Sequence, residues 1–559
     1  MGFIFPHNTP TSFLNFLRRE LTGQLESVAP PPDIPQGTGP SRDRLRQAID
    51  EAKCRFGETL DKLAAEQSGP VEPKDLLELE TRLHQEVAQL CLDPVVGALV
   101  QDAHDDEEIQ IKASVLQLNR PHLQLQKSDQ EVTITLLGGS QVKVNTPYYL
   151  RRPPRGRGRP RTKKGRKKSN GNGLYPGLAV LGMHLRTTPA LASEVARLVA
   201  VGTVDQAKDT LARRGIRLDR KIITRVALSL AQSGLSYRSW VEQRTQDGAR
   251  GQSVKGKRLV IGGDGGRVRI RYAKKKGRRR KSGRKGFDGL WREPKVLVVY
   301  EVDERGRKVK KKGFCRYDAT MQDADGFFAI LTALLREIGA HEAKEWIVVG
   351  DGADWIWDRV PALIEAVGFD SKKVTQVVDY YHATQRLNEI AAERKDWSAS
   401  DRKKWVERMT GLLWKDRVEE VVAQRSELFK GRGAKKRRKL FNYFVDRADK
   451  MRYGTFRKKG IPLGSGAVES CVRRLINLRL KGNGIFWKLE NAEAILHLRA
   501  QLLCGRWDDF VNTILRPQDV WTLDAQNPYE TNREAALNVV RKRNRRIENS
   551  KAKKAAKAA

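Results

Sequence analysis

Three acids stand where predicted strands end, in settings that suit metal-assisted chemistry. Asp264 follows the apolar run Arg258–Gly263 inside Gly-Gly-Asp-Gly-Gly. Asp351 follows Glu345–Gly350 in GDGADWIWD, and Asp379 ends the run Val374–Asp379 and opens DYYHA. In open α/β sheets, functional groups gather at strand ends. Glycine on both sides of Asp264 and Asp351 leaves room for backbone, cation and substrate. Oxygen-only ligands of this kind suit Mg²⁺ or Mn²⁺. Two such ions activate a water or 3′-hydroxyl and stabilise the leaving oxygen of an in-line phosphoryl transfer. One Asp after a strand is also a common turn or cap residue; two in glycine-flanked settings weigh against that reading.

Glu469, in LGSGAVES, sits one turn into a helix that Ser465 can cap, beside the stripe Val468, Val472 and Leu475. On spacing alone it reads as a first-turn acid favoured by the helix dipole. Glu490 and Glu493 on a later helix are its rivals. His382, three residues after Asp379, suits a metal or an orienting role as well as an ordinary place on a helix. Other chemistries lack their residues. Gly262–Gly266 carries neither the GK[ST] of a phosphate loop nor GxGxxG, and Gly464-Ser465-Gly466 is not GxSxG.

The elements that must position these residues fall between 256 and 390. Strand-like runs at Arg258–Gly263, Lys295–Val302, Glu345–Gly350 and Val374–Asp379 alternate with helical patterns. One such helix carries Phe327, Phe328, Leu331, Leu334, Leu335 and Ile338 on one face. That order predicts an α/β domain with a mixed sheet. Residues 391–460 read as a charged helical insertion with Trp397, Trp405 and Trp414. Residues 461–515 are helical again and carry Glu469. The basic tail 516–559 is expected to fray after Asn538.

Ahead of the sheet, residues 1–130 read as a helical region and 131–150 as a β-hairpin. Residues 151–172 are a basic linker. In 173–250, Thr203 caps one amphipathic helix, Gly215 ends it, and Asp219 caps a second. The pair is a helix-turn-helix candidate or a plain helical hairpin; Arg220, Lys221 and Arg225 near the second helix start favour DNA.

The chain has 559 residues, with 107 Lys+Arg against 67 Asp+Glu and a net charge of +40. Such an excess favours a polyanionic partner. The runs Arg151–Lys168 and Lys274–Lys285 together hold 20 Lys/Arg and no acid, half of that excess. Arg157-Gly158-Arg159-Pro160, flanked by Arg155 and Arg161, suits a narrow minor groove and resembles an AT-hook; the alternative is a linker that grips phosphates. Arg278, Arg279 and Arg280 lie in the second run, between two strands. No membrane partner is expected, because no apolar run is long enough to span and no amphipathic basic helix accompanies the runs. The N-terminus is a poor signal peptide. Five scattered Cys suggest reduced cytoplasmic thiols.

From about Leu174 to Trp507 the sequence resembles the DDE transposases of bacterial insertion sequences, specifically the Kra group, related to Mutator-like elements. The matching stretches are GLYPGLAVLG, TPALASEVARLVA, LVIGGDGGRVRIR, VVGDGADWIWD, VVDYYHATQRL, GIPLGSGAVESCVRRLINLRLKGNGIFW and NAEAILHLRA. The resemblance implies an RNase H-like catalytic domain with a helical insertion before the last acid. It implies Asp264, Asp351 and Glu469 as the catalytic, metal-holding triad, with Asp379 and His382 as an accessory pair. The expected cofactors are two Mg²⁺ or Mn²⁺ ions. The expected partners are double-stranded DNA, as element ends and target, and further copies of the chain assembled on it, in the bacterial cytoplasm at the nucleoid. Some relatives carry a Cys-rich metal knuckle before the GLYP-like stretch. Here TPYYLRRPPRGRGRPR has no Cys, so no zinc is expected. Two other readings stay open on the sequence: a non-catalytic, domesticated DNA-binding protein, and an RNase H-fold nuclease without strand transfer.

Overall fold

Helices at the N-terminal end follow the apolar spacing of the sequence. The computed structural model describes residues 40–66, 72–151, 173–273, 286–310, 313–429, 433–515 and 528–558. Helix α1 spans Pro40–Glu66. Helix α2, Pro73–Glu86, runs through a π-helical turn, Val87–Leu92, into α3, Asp93–Asp105; α4 is Glu107–Leu118. Strands β1 (Leu123–Thr135) and β2 (Gln141–Arg151) form an antiparallel hairpin, and β3 (Gly173–Leu174) pairs with β2. The hairpin extends well beyond the alternation at 131–145, because backbone pairing continues through polar positions with register shifts between Leu125 and Gln130. Asp93 fastens its turn to α3 by accepting the N–H groups of Gly138 (3.0 Å) and Ser140 (2.9 Å).

The helices that lead into the sheet include α5 (Pro189–Val201), α6 (Val204–Arg213) and α7 (Arg220–Gln246). Thr203 and Gln206 form the expected cap of α6 as a reciprocal capping box. Gly215 takes the left-handed φ of +79°, and Asp219 accepts N–H groups of Lys221 and Ile222 at the start of α7. Helix α7 continues to Gln246 and buries Val226, Leu230 and Ala231 in the central core.

The central sheet is built from β4 (Arg258–Gly265), β7 (Lys295–Val302), β8 (Cys315–Thr320), β9 (Glu345–Gly350) and β10 (Val374–Val378). Between β4 and β7 stands a separate hairpin, β5 (Val268–Ala273) with β6 (Phe287–Arg292). The strand order is β10-β9-β4-β7-β8, with β4, β7 and β8 antiparallel and β9 and β10 parallel to β4. The protein is thus mixed α/β around a mixed five-stranded sheet. Helix α8 (Ala324–Glu337) lies between β8 and β9, and α9 (Val360–Val367) between β9 and β10.

After β10 come α10 (Tyr380–Ala392) and a helical segment that includes α11 (Ala399–Trp414) and α12 (Ala434–Val445). Helix α13 (Gly466–Val472) passes into a second π-helical turn, Arg473–Asn477. It is followed by α14 (Leu489–Leu503), α15 (Trp507–Ile514) and α16 (Pro528–Ala558). One apolar cluster runs from Leu191 in α5 to Ile514 in α15. The fraying expected after Asn538 is corrected: α16 buries Ala536 and Val540 against Ile111 and Val115 of α4, an apolar anchor at a spacing of four.

Candidate active site

Asp264 and Asp351 leave adjacent parallel strands in step. Gly262 of β4 is paired with Val349 of β9, and each Asp stands two residues further on. Side chains alternate along a strand, so Gly262 and Asp264 share a face. A Cβ at Gly262 would strike Val468, and one at Gly266 would strike Ile476. Helix α13 and its π-helical continuation therefore cover the Asp264 face, and the glycines permit the close approach. Glu469, next to Val468, is exposed on that helix. Its charge acts on Asp264 and on His382.

Crowding of like charges marks the site. Burial, then the neighbouring charge of Asp351, pushes the Asp264 carboxyl up to about 6, although its Oδ1 accepts the Gly265 N–H at 2.6 Å. Asp351 Oδ1 accepts the Ala353 N–H at 3.0 Å. Asp379 is fully buried. Its Oδ1 caps α10 through the N–H groups of Tyr381 (2.7 Å) and His382 (3.0 Å), and its Oδ2 accepts the Ser465 N–H. Burial alone would raise its carboxyl, but the contacts from His382 and Ser465 outweigh burial and hold it at about 2. The His382 ring, with Nδ1 3.5 Å from Asp379 Oδ1, is raised above the usual imidazole range chiefly by that carboxylate.

Asp379, His382 and Glu469 each offer a ligand atom within 4.8 Å of the others. The fold thus brings the accessory pair to Glu469, 87 residues along the chain from His382. Asp379 has the fewest lone pairs to spare, since both oxygens already accept backbone N–H groups. The side-chain cap expected of Ser465 is not formed; the Ser465 backbone is instead tied to Asp379.

The helical segment after α10 props the site in a way the sequence did not signal. Tyr443 of α12 donates its hydroxyl to the Asp351 carbonyl at 2.9 Å, and Tyr453 donates to the Val378 carbonyl at 3.0 Å. Gly352, at φ +91°, has no room for a side chain beside the Tyr443 ring. Of the two rival acids, Glu493 is engaged by Arg238 and by the Thr320 hydroxyl at 2.9 Å, next to the end of β8. Glu490 is exposed in the first turn of α14.

The basic candidates are spread more widely. Lys221 and Arg225 are exposed on the first turns of α7, and Arg220 pairs with Asp205 of α6 at 2.9 Å. Arg155, Arg157, Arg159 and Arg161, with Arg278, Arg279 and Arg280, lie outside the described residues. Among the described residues no helix is long and apolar enough to cross a membrane.

No protein-family model matches this chain, and no curated protein matches it. Among solved structures it is similar to the Drosophila P element transposase strand transfer complex. The identity is 12% and the TM-score 0.20, covering 61% of this chain and 86% of that one.

Proposed function

We propose that the protein is a DNA transposase that cleaves DNA at the ends of its element and joins the 3′-hydroxyl ends to target DNA. What supports this reading is that Asp264 and Asp351 stand at the ends of adjacent parallel strands under the helix that bears Glu469, and that the charges of Asp351 and Glu469 both act on Asp264. The sheet supports it too. Three antiparallel strands, then two strands added in parallel on the far side of the first, is the connectivity expected of an RNase H-like domain. The helices at 391–460 then form the insertion before the last acid.

The donor set fits divalent metal. Asp264, Asp351 and Glu469 are hard oxygen donors, and the raised Asp264 carboxyl reflects burial and then the charge of Asp351, both of which a bound cation offsets. These three residues would hold two Mg²⁺ or Mn²⁺ ions, which supply Lewis acidity to the attacking and leaving oxygens when bound. Asp379 orients rather than reacts: it fixes the Ser465 backbone at the head of α13, hence Glu469, and holds His382 beside the acids. The excess of 40 positive charges draws DNA towards carboxylates that would otherwise repel its phosphates. The linker 151–172 and the α6–α7 pair are the proposed DNA contacts, and copies of the chain assemble on the element ends in the cytoplasm.

The test is cleavage and joining of DNA that carries the inverted repeats flanking the gene, with Mg²⁺, by wild type and Asp351→Asn. Cleavage and joined ends from the wild type alone are expected. Equal activity in the variant overturns the assignment. Cut ends that never join would make the protein a nuclease. Salt-sensitive binding without cleavage in Mg²⁺ or Mn²⁺ would make it a DNA-binding protein.

A further inference from the structure

The stretch Lys481–Lys488, KGNGIFWK, has no part in the reaction proposed above, yet it is built into the fold along β5, the strand that follows Asp264. Trp487 runs alongside β5: its N–H donates to the Arg269 carbonyl (2.9 Å), and its carbonyl accepts the Arg271 N–H (2.8 Å). On the other side of β5 lies β6, whose outer edge pairs with no further strand among the described residues. Val268 and Ile270 of β5 are fully buried. Arg269 therefore faces the opposite way, and its register partner is Trp291.

That outward face holds a row of flat groups. The Arg269 guanidinium lies 5.3 Å from the Trp291 ring centre and 4.9 Å from that of Phe486, and it donates to the Gly482 carbonyl at 3.0 Å. Phe287 meets Phe486 edge-on at 5.0 Å. Gly289, between Phe287 and Trp291, leaves the space that Phe486 fills. Trp291 is nevertheless 58% exposed and Phe287 41%. A large aromatic side chain left in water on an edge strand signals a surface awaiting a partner.

Charge selects the partner. The described residues of this hairpin and its stem include Arg267, Arg269, Arg271 and Arg292 against Asp288 and Glu293, and the intervening sequence 274–285 has nine Lys/Arg and no acid. A second copy of the same face would be repelled. Nucleobases stack on aromatic rings and guanidinium planes while their phosphates satisfy the cations. Only unpaired bases offer a free face, because a duplex keeps its bases stacked. Position agrees: β5 starts four residues after Asp264, and β7, which follows β6, pairs Val296 with Asp264.

We propose that Trp291, Arg269 and Phe486 form a stacking platform for an unpaired nucleobase of the DNA strand beside the cleaved phosphate. The position of that base relative to the chemistry rests on the transposase reading; the binding itself does not. The test uses the full chain in EDTA, so that nothing is cleaved. Fluorescence anisotropy follows a labelled 20-nucleotide single strand and the matching blunt duplex at one salt concentration. Trp291→Ala should weaken single-strand binding by roughly tenfold, the order expected for one lost base–aromatic stack. Duplex binding should change less than twofold, and Trp291→Phe should keep most of the affinity. An unchanged melting temperature in Trp291→Ala excludes misfolding. Equal loss for both DNAs, or no loss for either, overturns the platform. A shift from dimer to monomer in sedimentation, with single-strand affinity intact, would reassign the face to a second copy. Wild-type cleavage is read separately, so the platform and the transposase reading fail independently.

Discussion

Asp264 and Asp379 are two carboxyls that folding drives in opposite directions. An acid whose pKa rises on folding subtracts stability where it is ionised. For Asp264, raised to about 6, the penalty is full above pH 6 and absent below about pH 4. Asp264→Asn should therefore stabilise the metal-free protein at pH 7 by about 2 kcal/mol while abolishing cleavage. Thermal melts in EDTA at pH 7 and pH 4 check the sign, and a variant less stable at pH 7 contradicts it. Asp379, held at about 2, contributes stability that is full above about pH 4 and is lost as pH falls towards 2. An Asn there would turn an NH₂ group towards one of the N–H donors. Asp379→Asn should cost about 2 kcal/mol at pH 7, and denaturant titrations should show the difference narrowing at pH 3. Residue types at these positions were legible in the sequence. The division of labour was not: Asp264 and Asp379 both end apolar strands, and only burial and N–H partners separate an acid crowded by a neighbour from one clamped by backbone.

Elements decide whether Glu469 reaches the two aspartates. Helix α13 lies on β4 only because Gly262 and Gly266 carry no side chain under Val468 and Ile476. Gly262→Ala should lift the helix, cost about 1–3 kcal/mol through overpacking and slow cleavage at least tenfold. Adding Val468→Ala restores the room, and recovery of activity in the double variant is the decisive measurement. No recovery would mean that Gly262 acts through its backbone and not through the space it leaves. Strands β7 and β9 match their sequence runs to the residue, because continuous apolar stretches buried on both faces announce themselves. Strand β8, CRYDAT, and the arginine-laden β5–β6 hairpin carry no such signal. Each pairs with a strand adjacent to it in the chain, but polar residues interrupt its apolar pattern, and distant segments complete its packing: Trp487 runs along β5 and Glu493 accepts the Thr320 hydroxyl at the end of β8.

At the scale of the whole molecule, the last described helix returns to one more than 400 residues earlier in the chain. Helix α16 rests on α4 through Ala536, Val540, Ile111 and Val115, and Arg533 pairs with Glu108 at 3.3 Å. Val540→Asp buries an unpaired charge in this small contact. It should release α16 and speed proteolysis beyond residue 515, while the melting temperature of the 191–514 core stays within a degree or two. A large fall in that temperature would mean that α16 supports the core as well. The composition foresaw a basic tail but not its anchor, since two apolar residues in a lysine-rich helix mean little until α4 is beside them.

By itself the sequence determined the mixed α/β class, the acids at strand ends and the polyanionic bias of a chain charged +40. Apolar runs, glycine flanks and net charge are local or additive properties, readable without coordinates. Tertiary structure alone decided that Asp264 and Asp351 leave neighbouring parallel strands in register, that α13 packs on β4 at Gly262, and that Glu469 on α13 comes within reach of Asp379 and His382. It also turned Asp379 into a buried clamp and made Tyr443 its counterpart at Asp351. Each of those depends on contacts between segments far apart in the chain. Strand order and helix approach, set by packing, are what bring them together.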